Sequence, residues 1–303
     1  MTDFVKPARI LVTGAAGNLG RKVVEALAST PWCTTIIGVD HAGNAAGFPA
    51  QVRDRLQFVT ADLTQSDSAW TRLMAGTDAV VHLAAVQPTP EATWQQAMAS
   101  YDMTLSVLRA AAEQGVRRFV FASSNHVMGG YKDQPLAGRL GPGKLTTSLP
   151  VAPGTHWHNG VEAVDSTAYA TSKAMGERLC AAVAALSGGG LTSVALRIGW
   201  TLPGENDPND INYAGAAHTP PPGATIDEES RIALRWFRNM WLSNGDLRRL
   251  FIAAVGADGA GWPAGSVIVN GVSDNGEMDW DLGSARQYLG YAPQDNLYRQ
   301  IAG

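Results

Sequence analysis

An α/β fold built on a doubly wound parallel sheet is what this sequence predicts, and three observations predict it. Short apolar runs alternate with segments of helical periodicity through the first two thirds of the chain. The first run, Ala8–Thr13, passes directly into a glycine-rich turn and then into the amphipathic stretch Leu19–Ala28. At 303 residues, 45% hydrophobic and 17% charged, the chain can bury a large core and is unlike disordered or fibrous proteins in composition.

After the first run, the predicted strands are Thr35–Asp40, Leu56–Thr60, Ala79–Leu83, Phe119–Ser123 and Leu191–Ile198. Long helical patterns at Glu91–Gln114 and Asp165–Leu186 separate the later ones. Strands joined through helices return in the same direction, so the sheet they form is parallel. Beyond Arg197 the alternation weakens into a Pro/Gly-rich stretch, Leu202–Gly223. Helices at Glu228–Trp241 and Asn244–Val255, a strand at Ser266–Asn270 and a helix at Asp281–Leu289 complete the pattern. There is no internal repeat and no linker long enough to part independent domains. Gly130–Val164 stands out as a long Gly- and Pro-containing insertion between two elements that should be neighbours, and loops of that length are commonly lids or binding elements.

The net charge of −4 argues against a broad nucleic-acid surface. Two cysteines, Cys33 and Cys180, supply neither a disulfide framework nor a metal-ligand spacing, and fit a reducing compartment. The N-terminus lacks a basic segment followed by an apolar one, and no apolar run reaches about 18 residues. The expectation is a cytoplasmic protein without a membrane partner; a homo-oligomer is compatible with all of this.

Thr13–Gly20 spaces glycines 14, 17 and 20 evenly between the first strand and the first helix. Gly14 permits the tight turn, Gly17 lets backbone approach a pyrophosphate, and Gly20 lets helix and strand pack closely. Asn18 and Leu19 then open a helix whose N-terminus faces the anion. Asp40, closing the second strand, would accept hydrogen bonds from ribose hydroxyls and repel a 2′-phosphate, which favours NAD over NADP; the alternative is an Asp capping the following turn. Asp62 and Leu63, after the third strand, would border the adenine, unless Asp62 is a helix cap. Residues 1–200 thus read as a Rossmann domain with an insertion at 130–164. Residues 201–303 read as a mixed substrate-binding part that returns a strand and helices to the same core.

Tyr169 and Lys173 lie one helical turn apart on one face. A phenol with an ordinary pKa near 10 becomes a base near neutrality only when positive charge stabilises the phenolate, which a lysine one turn away supplies. Ser124, ending the fifth strand, is placed to hydrogen-bond the same substrate oxygen. The bland reading of a Tyr-x-x-x-Lys pair is a solvated helix face with one buried ring; following a dinucleotide turn and a Ser-Ser strand end, the pair reads instead as an acid/base couple.

Thr13–Gly20, His82-Leu83-Ala84-Ala85, Ser123-Ser124, Tyr169/Lys173 and Arg197-Ile198-Gly199 together resemble the extended short-chain dehydrogenases/reductases over essentially the whole chain. Within them, Phe121–Gly129, Trp241-Leu242-Ser243 and Leu289–Asp295 are similar to the uronate dehydrogenases. The resemblance implies an NAD-dependent oxidoreductase that oxidises a sugar or sugar acid at its anomeric hydroxyl to a lactone. It implies Ser124, Tyr169 and Lys173 as catalytic residues, Leu83, Ala84 and Ala85 against NAD, and Asn125 and His126 on the sugar. A nucleotide-sugar epimerase holding NAD permanently is the alternative, and a non-catalytic NAD sensor would not need the Tyr/Lys pair.

The resemblance also has gaps. Gln87 and Trp200 stand where the family carries two pocket serines, and Trp236 stands where it carries the arginine that pairs with the substrate carboxylate. Arg235 and Arg238 flank that place and are the candidate anchors. The insertion lengthens the Ser124-to-Tyr169 connection, and its His156-Trp157-His158 is expected to roof the pocket as a loop without metal.

Overall fold

The computed structural model describes residues 4–65, 68–159, 161–214 and 226–301. Its strands are β1 (Arg9–Thr13), β2 (Thr35–Asp40), β3 (Leu56–Thr60), β4 (Ala79–His82), β5 (Arg118–Ser124), β6 (His156–His158), β7 (Ala163–Asp165), β8 (Thr192–Ile198) and β9 (Ser266–Gly271). The helices are α1 (Asn18–Ala28), α2 (Ala50–Arg53), α3 (Ser68–Thr71), α4 (Trp94–Glu113), α5 (Thr167–Leu186), α6 (Glu228–Asn239), α7 (Asn244–Gly256), α8 (Gly283–Leu289) and α9 (Leu297–Gln300). Seven strands form one sheet in the order β3-β2-β1-β4-β5-β8-β9. Every pairing in it is parallel, from Ile36↔Leu56 at one edge to Ser193↔Ser266 at the other.

The strands read as continuous apolar runs because helices cover both faces. Ile10 and Val12 of β1 face one core with Val23 and Leu27 of α1 and Leu250 and Phe251 of α7. Leu11 between them faces the other, with Val107 and Leu108 of α4 and Cys180 of α5. Helix α7 packs beside α1, and β9 pairs with β8, so the last third of the chain is built into the same core as the first.

Most element ends shift by a residue or two from expectation, and two departures bear on the site. Helix α4 starts at Trp94, not Glu91, because the Thr93 hydroxyl accepts from the Gln96 amide while the Gln96 side chain accepts from Thr93, a reciprocal capping box. The insertion is not a bare loop. It contains the antiparallel hairpin β6–β7, with Trp157↔Val164 paired, and a strap pinned at Leu145, which is fully buried. The Leu145 amide donates to Asp279 (2.7 Å), and its carbonyl accepts from the Asn270 side chain (3.0 Å). Of the Pro/Gly-rich stretch 202–223, the part from 215 onward lies outside the described residues.

Candidate active site

The strand order reverses direction between β1 and β4, and there, beyond the carboxyl ends of the strands, lies a cavity of ≈ 510 Å³. Its floor at one end is the glycine turn. Gly14 has φ +69°, and a Cβ there would press on the Ala84 amide, while a Cβ at Gly20 would overlap the Gly14 carbonyl. Gly17, Asn18, Leu19 and Gly20 all line the cavity. Helix α1 begins there with no side-chain cap, so its first amides are left for another acceptor. A Cβ at Gly17 would meet only the Gly14 carbonyl, at 3.3 Å, which leaves the backbone open to close approach. Asp40 accepts from the Ala16 amide (2.9 Å) and from its neighbour His41 (2.8 Å), tying the turn to the end of β2. An uncapped helix end, an open glycine backbone and a carboxylate at the second strand fit a dinucleotide.

The opposite end is carried by β5 and α5. Ser124, Asn125, His126, Tyr169 and Lys173 converge on the cavity, and all but Tyr169 are buried to below a tenth of their surface. Lys173 Nζ donates to the Ala122 carbonyl (2.8 Å) and lies 5.6 Å from the centre of the Tyr169 ring. Burial brings its pKa down to about 8. Burial pushes the Tyr169 phenol above its ordinary value; a hydrogen bond with Ser124 opposes this, and the Glu91 carboxylate adds to it. Burial thus acts on both groups, raising the phenol and lowering the lysine.

The third residue on this face of α5, Glu177, fixes the helix. Arg197 of β8 grips it through two nitrogens, at 2.8 and 2.9 Å, and the Ser123 hydroxyl donates to it at 2.6 Å. Because Ser123 adjoins Ser124, this buried pair sets how α5 sits against the strand end that carries the site.

Asn125 donates to the Ile198 carbonyl (2.9 Å), leaving its own oxygen buried without a partner. His126 shares a hydrogen bond with Ser166 (2.8 Å), and burial lowers its pKa to about 4, so the ring is neutral. Its ring stands edge-on to Tyr169 at 6.0 Å and packs beside Trp157 at 6.0 Å. Trp157 comes from the hairpin of the insertion and enters the cavity wall; its indole nitrogen is also buried without a partner. Trp200 lines the cavity as well, packed on Phe237 at 4.7 Å. His156 turns away from it, toward Asp133 (3.1 Å) and Asp165 (3.5 Å).

Several expected residues stand elsewhere. Leu83 and Ala85 line the cavity, whereas Ala84 sits behind them with its amide on Thr13. Asp62 is engaged by the amide and hydroxyl of Thr64, at 2.9 and 2.7 Å, a local turn, and Leu63 is buried in the core. The Gln87 amide donates to Thr89 and does not reach the lining. Arg235 and Arg238 are likewise absent from it. Arg235 is 61% exposed and 4.0 Å from Asp279, because Ala233, Trp236 and Phe237 take the buried face of α6. Residues not anticipated at the site include Glu91, Thr89, Asn159 and Thr201, all of which line the cavity.

This strand order and glycine turn, with a Ser/Tyr/Lys cluster across the cavity, are those of the extended short-chain dehydrogenases/reductases, and with its relatives they make the chain an NAD-dependent dehydrogenase of that type. The chain belongs to the NAD dependent epimerase/dehydratase family, whose model matches residues 10–210. It is 33% identical to L-arabinose 1-dehydrogenase (NAD(P)(+)) of Haloferax volcanii, over 95% of this chain and 97% of that one. It is 27% identical to the uronate dehydrogenase of Pseudomonas syringae pv. tomato, over 95% of this chain and 82% of the relative. Among solved structures, one described as a mutated uronate dehydrogenase superposes with a TM-score of 0.68 at 25% identity, covering 98% of this chain and 85% of the other. No described helix is long and apolar enough to cross a membrane.

Proposed function

We propose that this dehydrogenase oxidises a sugar or sugar acid at its anomeric hydroxyl, giving the lactone. The observation that carries the reading is the convergence of Ser124, Tyr169 and Lys173 with the polar groups of Asn125 and His126 in one aromatic-walled cavity that runs back to the α1 N-terminus. Bound NAD supplies the hydride acceptor and, on its nicotinamide ring, a positive charge. Tyr169 takes the proton of the anomeric hydroxyl, Ser124 holds that oxygen, and Lys173 beneath the ring steadies the phenolate. Asn125 and His126 orient the sugar, while the walls exclude water. The names of the relatives, an arabinose 1-dehydrogenase and uronate dehydrogenases, support a sugar substrate.

The test is a screen for NADH formation with free aldoses, uronates and UDP-sugars. NADH release on a free sugar, with lactone detected by hydroxylamine trapping, is the expected result. Interconversion of a UDP-sugar without NADH release would instead make the protein an epimerase.

A further inference from the structure

Among the described residues, only two charged side chains line the cavity, Lys173 and Glu91. Lys173 is buried and committed to the Ala122 carbonyl, underneath the Tyr169 ring. That leaves Glu91 as the charge a substrate meets on entry. It lies just ahead of the Thr93 cap of α4, exposed, on a segment stiffened by Pro88 and Pro90 that also borders the cavity. Its field reaches the reacting end, since it raises the pKa of Tyr169.

Among the described residues, no cation other than the committed Lys173 lines the cavity. Arg235 points to Asp279, and neither it nor Arg238 reaches the cavity lining. The uncommitted groups in the wall are neutral: the Asn125 carbonyl oxygen, the Trp157 indole N–H and the Thr201 hydroxyl are all buried without partners. One acceptor, one donor and one group that is both suit sugar hydroxyls. A desolvated carboxylate instead calls for a charged or multiple donor.

Resting on the reading that the substrate is a free sugar, we infer that Glu91 is a specificity-determining residue. Exposed at the rim of a cavity whose described lining holds no arginine, it admits neutral aldoses, accepts from their hydroxyls, and repels sugars that carry a carboxylate. The reaction is then set apart from uronate oxidation by charge at the entrance, with the same reacting carbon and proton acceptor.

The experiment compares kcat/KM for a matched pair, galactose and galacturonate, in wild type, Glu91→Gln and Glu91→Arg, with the KM for NAD measured alongside. Wild type should prefer the neutral sugar by about tenfold or more. Glu91→Gln should narrow that ratio by about fivefold and Glu91→Arg by more, through a lower KM for the uronate and with the KM for NAD unchanged. In wild type, raising the salt concentration should narrow the same ratio, a readout that needs no variant. A wild-type preference for galacturonate, or a ratio indifferent to both salt and Glu91→Gln, overturns the inference while leaving the sugar dehydrogenase reading intact. Failure to oxidise either sugar, or any other free sugar, removes that reading, and this one with it.

Discussion

In the NAD-free protein Tyr169 carries its proton at neutral pH, and Lys173 sits close to its own titration point. Replacing Tyr169 with Phe removes the proton acceptor while keeping the ring that packs on His126. Turnover should fall by about 10²-fold or more with NAD affinity roughly intact; near-wild-type turnover would exclude the assigned role. Lys173 makes a separate thermodynamic prediction. Its folded pKa of about 8 lies below the value of 10.5 it has when unfolded, so the unfolded chain binds the proton more tightly. The buried charge therefore costs stability below pH 8, roughly 3 kcal/mol at full effect, and the cost fades as pH climbs toward 10.5. Lys173→Met should abolish turnover yet leave the NAD-free protein at least as stable at neutral pH. The melting temperature of wild type should gain on that of the variant between pH 8 and 10; parallel curves would place the proton elsewhere. At the other end of the cavity, Asp40→Ala removes both the expected ribose acceptor and a tie to the Ala16 amide. NAD should bind more weakly and the discrimination against NADP should narrow, as cofactor titrations would report; an unchanged NAD/NADP ratio would leave Asp40 only its turn-closing role.

The insertion divides into parts with different duties. Its strap, held at Leu145 by Asp279 and Asn270, belongs to the core, whereas its hairpin brings Trp157 to the cavity wall. Deleting the whole segment would confuse the two, so the informative change is Trp157→Ala. It removes an indole donor and a wall shared with His126 and Phe237, and should raise the sugar KM several-fold with the KM for NAD unchanged; a change confined to thermal stability would make Trp157 a packing residue alone. In helix α6 the sequence itself marks the inward face. Its apolar positions 233, 236, 237 and 240 form one stripe, which already turns Arg235 outward and leaves Arg238 only partly covered. The resemblance drew attention to the arginines, but the periodicity held the better answer. The start of α4 was similarly available in Thr93-x-x-Gln96, and reading it would have released Glu91 from the helix to the entrance of the cavity.

Across the whole molecule, the parallel sheet was readable because strands buried on both faces leave unbroken apolar runs, and the cofactor end because glycine spacing and helix start coincide in a single short segment. Across the cavity from the glycine turn, Ser124, Asn125, His126, Tyr169, Lys173 and Trp200 were readable in advance, as was the arrival of the 156–158 segment at the wall. Asn159 and Thr201 arrive from irregular segments whose placement depends on distant contacts and has no local period. Those contacts also impose an order on biosynthesis. Leu145 finds its backbone partners at Asn270 and Asp279, and Asp246 closes on the amides of Gln294 and Asp295. A chain leaving the ribosome N-terminus first can pair β1, β2, β3, β4 and β5 early, yet the strap has nothing to hold until residues near 280 emerge. The glycine turn waits as well, because the face of β1 beside α1 is covered by Leu250 and Phe251 of α7. Both ends of the cavity thus depend on the last third of the chain, so a nascent protein has neither a finished cofactor seat nor a closed chamber until that third has emerged.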